Sequence, residues 1–446
     1  MSEPGAEVVD RARPWRRPWG NGWVLVFAWL LTRALMLRSF SDFRWIDGDV
    51  KYYFASIAWP EGTIQTILRE YPVPVVWLFK TLQPVSASDE AFVVAFAIAM
   101  GVLDAAFVAF CWFAPRFAPT AHGDGSRAAA WFWTLFTALL GPILWFRFDI
   151  IPAVVVGVAM VLVMSRPRLA GALIAFGASL KLWPALLLLP NLGRDQASRR
   201  RLVGFTVAGV VLAGSSLVAA GWTRLVSPIT WQGGRGLQIE SLSATWLMFL
   251  HGFGTSPRWT IFFSPYNAFE LEGPGVESWA AVSNAAMLTA GLVALALGVL
   301  ALIRHPGPAV RTLAVVTITC GMLAANKTLS PQYMLWLAGP VAALLVHLPD
   351  DARGRVRVGY VALSSLLMAG MTQYVFPIAY MSLIANPYSG PAVTAVLVAR
   401  NLLLGVLSIQ LSVWSLTLMW GHVRGTPAQR QGQLRTPGSV EVPSHD

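Results

Sequence analysis

The sequence predicts an all-α polytopic membrane protein, and three observations carry that prediction. Of 446 residues, 56% are hydrophobic and only 12% charged, against about 25% charged in soluble domains. The mean hydropathy is +0.58. Apolar runs of about 20 residues, the length that crosses a bilayer, recur along most of the chain. Backbone groups in hydrocarbon have no water to bond, so runs of this length are helices and not strands. An ordinary soluble enzyme, a disordered chain and a coiled coil are excluded by the same composition.

In chain order, residues 1–21 carry Arg11, Arg13, Arg16 and Arg17 and form a tail ahead of the first span, 23–40. No small-residue cleavage site follows that span, which makes it a retained anchor. Later spans fall at 91–113, 128–146, 150–164, 203–222, 279–302, 313–325, 333–347, 359–377 and 392–420. Two long polar stretches, 41–90 and 223–278, interrupt them, and one transmembrane domain covers 22–420. Residues 421–446 are polar and rich in Gln, Gly and Pro, the composition of a disordered tail.

Charge orients the stack. The net charge of +11 comes from 29 Arg and 4 Lys against 22 acids. Twenty of the arginines lie in the two tails and in the short segments 114–127, 166–168, 191–202, 303–311 and 348–357. Arginine spread over short interspan loops is a topology signal, not a nucleic-acid patch. It assigns these segments and both termini to the cytoplasm, with the two long loops outside a plasma membrane. Cys111 and Cys320 sit within apolar runs, so neither a disulfide framework nor a thiolate metal site is expected.

Segment 169–190 tests the assignment. It is long enough to span, yet Arg166 and Arg168 precede it and Arg194, Arg199, Arg200 and Arg201 follow it. Both ends belong on one side, so the segment is expected to be a hairpin of two half-helices, broken near 179–184, with Lys181 at its tip. The same parity makes 71–85, with Pro72, Pro74 and Pro84, a re-entrant or interfacial piece. Counting the two hairpin arms separately gives about 12 membrane helices. No internal repeat is evident, unlike many secondary transporters.

Residues with chemical potential concentrate in the outer loops. Asp47 and Asp49 follow the first span among basic and aromatic neighbours, where a carboxylate can act as a general base. Asp47-Gly48-Asp49 also has the spacing of a metal-binding DxD, a pattern that solvated loops often produce. Arg147 and Asp149 stand at the outer end of a span, either as an interfacial anchor or facing the same cleft as Asp49. Lys181 is an embedded cation, which usually faces a cavity or a partner. Asp104, mid-span, is expected to pack against a neighbouring helix, and no histidine spacing suits zinc. Arg235, Gln238 and Glu240 in a glycine-rich loop, and Lys327, Gln332 and Tyr333 at the start of a later span, complete the polar set.

Taken in order, these pieces resemble the polyprenyl-phosphate-sugar-dependent glycosyltransferases of the C-type fold, family 87. The matching stretches are Asp49-Val50-Lys51-Tyr52-Tyr53, Glu70-Tyr71-Pro72-Val73-Pro74 and Arg147-Phe148-Asp149-Ile150-Ile151-Pro152. They continue with Gly171 to Pro184 around Lys181, with 235–241, and with 330–336, covering about residues 23–340. Val73 replaces the second proline of the usual Tyr-Pro-Pro. Arg147-Phe148-Asp149 stands where many relatives have Gly-Gln, so no role transfers there.

The resemblance implies transfer of a monosaccharide, most often mannose, from a polyprenyl-phosphate donor to a hydroxyl of an extracellular glycolipid or glycan. It implies inversion at the anomeric carbon and no metal or other cofactor. Mapped onto the first-loop motif, the base is Asp49 with Asp47 in reserve. Lys181, Arg235, Arg147 and Lys327 are candidates for the departing phosphate, with Asp149, Gln238, Glu240, Gln332 and Tyr333 nearby. Tyr53, Glu70 and Tyr71 would position the loop or the acceptor. The rival class is a transporter or flippase of a lipid-linked or polar substrate.

Overall fold

The computed structural model describes residues 20–58, 62–254, 258–385 and 390–421. The two tails expected to be cytoplasmic lie outside the described residues, apart from their inner ends. The described chain is a polytopic helical membrane protein, with seven helices long and apolar enough to cross a bilayer.

The first half contains α1 (Gly22–Asp42), α2 (Gly48–Ala58), α3 (Val73–Leu82), α4 (Asp89–Trp112), α5 (Gly123–Leu140), α6 (Ile150–Val161), α7 (Pro167–Leu180) and α8 (Gln196–Gly233). The second half contains α9 (Thr245–Phe253), strands β1 (Thr260–Ser264) and β2 (Ala268–Glu272), and α10 (Val276–Arg304). It ends with α11 (Pro308–Ala325), α12 (Leu335–Val346), α13 (Ala352–Gln373), α14 (Tyr380–Ala385) and α15 (Pro391–Gly421). The expected spans map onto these helices.

All twelve residues of α12 are buried, as a helix apolar on every side requires. It packs against α5, α6, α11 and α13 at the centre of the bundle. α8 is the opposite case: its apolar residues, Val207, Val210, Val211 and Val218 among them, face outward, as lipid contact demands. Inside, Asp104 receives a bidentate pair from Arg33 of α1 (Nη2 to Oδ1 2.7 Å, Nε to Oδ2 2.9 Å) and indole donors from Trp29 and Trp133. A buried charge survives only when paired and fully hydrogen-bonded, and here it ties α1, α4 and α5 together.

Segment 169–190 doubles back. One arm is α7, with Pro167 at its first helical position; the other is a 3-10 helix, Trp183–Asn191. Between them Lys181 is extended (φ −142°, ψ 134°), inside the stretch where the break was expected. The two ends meet at Arg201, whose guanidinium donates to Val163 O (2.8 Å) and Asn191 O (3.0 Å). Arg311 donates to Pro190 O and Leu192 O at 2.9 Å each. Two arginines thus satisfy the orphan carbonyls where the hairpin closes. α7 and α8 touch backbone to backbone: a Cβ on Gly171 would collide with Arg201 O, and one on Gly204 with Arg168 O.

Two features depart from the expectation, and the piece at 71–85 is short, as expected. The span at 203–222 belongs to a 38-residue helix, and it breaks at Gly221 (φ 77°, ψ 172°), a conformation essentially confined to glycine. The second long loop holds a two-stranded antiparallel hairpin, so the fold is not wholly α. Gln238 of the same loop forms an isolated antiparallel bridge to Glu270 of β2. The piece at 71–85 is a ten-residue helix, α3, followed by a 3-10 turn. At about 1.5 Å per residue it is too short to span, and it packs on α2, α4, α7 and α8.

Candidate active-site cavity

A cavity of about 540 Å³ lies at the tip of the 169–190 hairpin, where that tip meets residues of the two long loops, 41–90 and 223–278. α2 contributes Asp49 and Tyr52, and the stretch before α3 contributes Glu70 and Tyr71. The hairpin tip supplies Lys181, Leu182 and Trp183; the end of α8 and its loop supply Trp231 and Arg235. Tyr266 of the β-turn and Gln332, Tyr333 and Trp336 close the far side.

Four charged groups line this space, and they fall into two kinds. Asp49 is neutralised by Arg147, whose Nε lies 2.9 Å from its Oδ2. Arg147 is itself fixed by donating to Ile46 O (2.9 Å) and Phe146 O (2.7 Å). Lys181 Nζ stands 3.3 Å from Asp149 Oδ1. It is also ringed by Tyr71, Phe148, Tyr333 and Trp336 at 4.7–5.6 Å from the ring centres, a set of cation–π contacts. Trp336 in turn donates its indole N–H to Asp149 Oδ1 at 2.7 Å. The other two charges, Glu70 and Arg235, have no ion-pair partner among the described residues. Arg235 has only the Tyr266 ring, 5.9 Å away, and its buried Nε is unpartnered. Glu70 accepts the Tyr52 hydroxyl at 2.8 Å.

Local structure explains these placements. Asp49 sits in the first turn of α2, at the positive end of the helix. Its side chain is 36% exposed. Asp47 is 12% exposed, pairs with Lys51 at 3.2 Å and does not line the cavity. Arg235 is presented by a stretch pinned along its length. Gly236 N donates to Glu270 Oε2 (3.2 Å), Gln238 N to Lys327 O (2.9 Å) and Ile239 N to Phe269 O (3.1 Å). A stacked column, Trp183–Trp336–Tyr333, forms an aromatic wall with ring centres 5.1 and 4.2 Å apart.

Of the residues singled out in the sequence, Asp49, Glu70, Tyr71, Lys181, Arg235, Gln332 and Tyr333 converge on the cavity. Arg147 and Asp149 do not line it; each pairs with a residue that does, Arg147 with Asp49 and Asp149 with Lys181. Gln238 is buried with its amide 3.2 Å from the Ser330 hydroxyl. Lys327 is half-buried and outside the cavity lining. Tyr53 is a core ring stacked on Phe79 at 4.4 Å. Glu240 is the clearest departure: fully buried, it pairs with Arg400 of α15 at 2.8 Å. Arg400 also donates to Glu240 O, as does Asn401. Desolvation raises the Glu240 pKa, and the guanidinium works against that rise.

The sequence reading missed Arg33, Arg400 and Tyr266, and it gave no separate role to Tyr52, Trp183 or Trp231, which lie within or beside its motif stretches. An arginine within an apolar run, as at 33 and 400, is the one signal that could have found two of them. Among the described residues, no group of three or more His, Cys, Asp or Glu side chains is placed to hold a metal ion. Comparison with known proteins finds no matching family model, no matching curated protein and no matching solved structure. The function must come from the cavity.

Proposed function

We propose that the chain is an inverting glycosyltransferase of the C-type fold. It moves a monosaccharide, mannose by the resemblance, from a polyprenyl-phosphate donor to a hydroxyl of a glycolipid or glycan. The observation that carries the reading is a part-exposed, pre-oriented carboxylate, Asp49, sharing one cavity with the uncompensated cation Arg235. The twelve membrane segments of the reading are the seven long helices with α5, α6, α12 and the two arms of the 167–191 hairpin. Arginine bias sets both termini in the cytoplasm and the cavity on the outer face of the plasma membrane.

In this mechanism the acceptor hydroxyl attacks the anomeric carbon as the bond from that carbon to the phosphate oxygen breaks. The hydroxyl proton passes to Asp49, and the bonding pair leaves with the lipid phosphate. Attack from the face opposite the leaving group inverts the centre. A positioned base is worth about 10²–10⁴-fold. The phosphate gains charge as it departs, and a fixed cation stabilises that charge without reorganising. Arg235 suits this role best, because its charge is not already met by a carboxylate, as that of Lys181 is by Asp149. Leu182, Met287 and Met322 form an apolar border suited to the polyprenyl chain. No metal or cofactor takes part in the proposed reaction.

The test is sugar transfer in proteoliposomes, with radiolabelled polyprenyl-phosphate-mannose and a membrane glycolipid extract, comparing wild type with Asp49→Asn. Labelled product from wild type and a loss of about 10²–10⁴-fold in the variant are expected. Equal product from both shifts the base to Glu70, the cavity's other carboxylate. No product from wild type with this or other lipid-linked sugars removes the transferase reading and favours a transporter.

A further inference from the structure

Glu70 is the second open charge of the cavity, and it is held as firmly as a binding group needs to be. The chain on its N-terminal side is clamped to α8 by Arg224, which is 2% exposed. Arg224 donates to Ile64 O and Leu68 O at 3.0 Å each and to Ile67 O at 3.5 Å. Ser227 Oγ donates to Arg69 O at 2.8 Å, one residue before Glu70. On its C-terminal side Tyr71 N closes a turn onto Leu68 O at 3.0 Å. The carboxylate itself is oriented by the Tyr52 hydroxyl. Burial first, and Glu70 second, push the Tyr52 phenol well above its ordinary pKa, so it stays a donor. One bond from Tyr52 leaves most of the carboxylate's lone pairs unused, because an ionised Glu can accept at about four sites.

Glu70 and Asp49 line the same cavity, whereas its open cation, Arg235, comes from the second outer loop. Asp49 is already met by Arg147, so on this wall it is the Glu70 carboxylate, with no ion-pair partner among the described residues, that repels an anion and accepts hydrogen bonds from hydroxyl groups. We infer that Glu70 is the residue that reads the acceptor, by accepting hydrogen bonds from neighbouring hydroxyls of an uncharged sugar or other polyol unit. This rests on the transferase reading and adds to it the acceptor's chemical class: the unit receiving the new sugar carries no phosphate or carboxylate of its own. The two open charges then divide the substrates between them, the cation taking the donor phosphate and the carboxylate the acceptor hydroxyls. Arg224 and Ser227 are positioning residues, acting on the acceptor through the Glu70 backbone.

The experiment measures KM for donor and acceptor separately in the proteoliposome assay, for wild type, Glu70→Gln and Tyr52→Phe. Mass spectrometry of the product identifies the unit that received the label. Hydrogen bonds to a charged group are worth enough that Glu70→Gln should raise the acceptor KM about 10- to 100-fold. The donor KM should stay within about twofold, a split that loss of folding cannot produce. Tyr52→Phe, which keeps the carboxylate and removes its guide, should move the same constant in the same direction by less. A neutral hexose, pentose or cyclitol as the receiving unit is expected. Transfer with an unchanged acceptor KM in both variants, or a uronic acid or phosphorylated sugar as the receiving unit, overturns the inference and leaves the transferase standing. No transfer by wild type from any lipid-linked sugar removes both.

Discussion

Arg235 and Lys181 are both cations in the cavity, but their surroundings predict different mutant behaviour. Among the described residues Arg235 has no carboxylate within ion-pair reach, so Arg235→Ala removes charge that is left for a ligand. The expected result is a donor KM higher by about 10- to 100-fold, with thermal stability unchanged. Lys181→Ala instead strands Asp149, which is 1% exposed. It should lower stability as well as turnover, because removing one partner of a buried pair costs about 3–5 kcal/mol. Thermal unfolding in detergent beside the transfer assay separates the two. The Arg33–Asp104 pair belongs with Lys181 in this respect. Asp104→Asn should destabilise by about the same amount and leave substrate constants unmoved.

At the scale of elements, two devices shape the cavity. One is the α7–α8 contact, in which Gly171 and Gly204 each face the other helix's backbone. Small residues that let helices approach this closely drive packing in lipid. Gly171→Val or Gly204→Val should cost about 1–3 kcal/mol through overpacking and displace the Lys181 tip, read as lower melting temperature with reduced turnover. The other is the break at Gly221, beyond which α8 turns to carry Trp231 and the Arg224 clamp to the site. No atom lies within 4 Å of a Cβ built there. Gly221→Ala therefore tests backbone conformation alone, and a loss of about 1–3 kcal/mol is expected. An unaffected melting temperature would show that the break does not need its glycine.

At the scale of the molecule, the proposed orientation can be checked directly. Cys111 and Cys320 are both buried, so single cysteines introduced at exposed sites report sidedness cleanly. An impermeant maleimide applied to intact cells should label Glu272→Cys, exposed in the same long loop as Arg235. It should reach Arg353→Cys, at the start of α13, only after permeabilisation. The reverse pattern would invert the topology and place the cavity inside.

Much of this architecture was legible because hydropathy and charge bias are properties of short stretches. Apolar runs gave the spans, and arginines on both flanks of 169–190 foretold a hairpin whose ends do meet, at Arg201 and Arg311. The β-hairpin at 260–272 had a local signal that the loop assignment passed over: the β-formers Trp259 to Phe263 lead into the turn formers Ser264, Pro265 and Asn267.

The state of each charge belonged to the tertiary structure alone. Arg147 reaches Asp49, Lys181 reaches Asp149, and Arg400 reaches Glu240 across 160 residues. These contacts give Arg147, Asp149 and Glu240 charge partners within the protein and leave Arg235 and Glu70 without an ion-pair partner among the described residues. The sequence by itself determined that this is a membrane bundle, where its spans fall and where its polar residues gather. Only the folded chain decided which of those charges are free to meet a substrate. Compensation depends on a partner within about 4 Å, and nothing in the spacing along the chain records that distance.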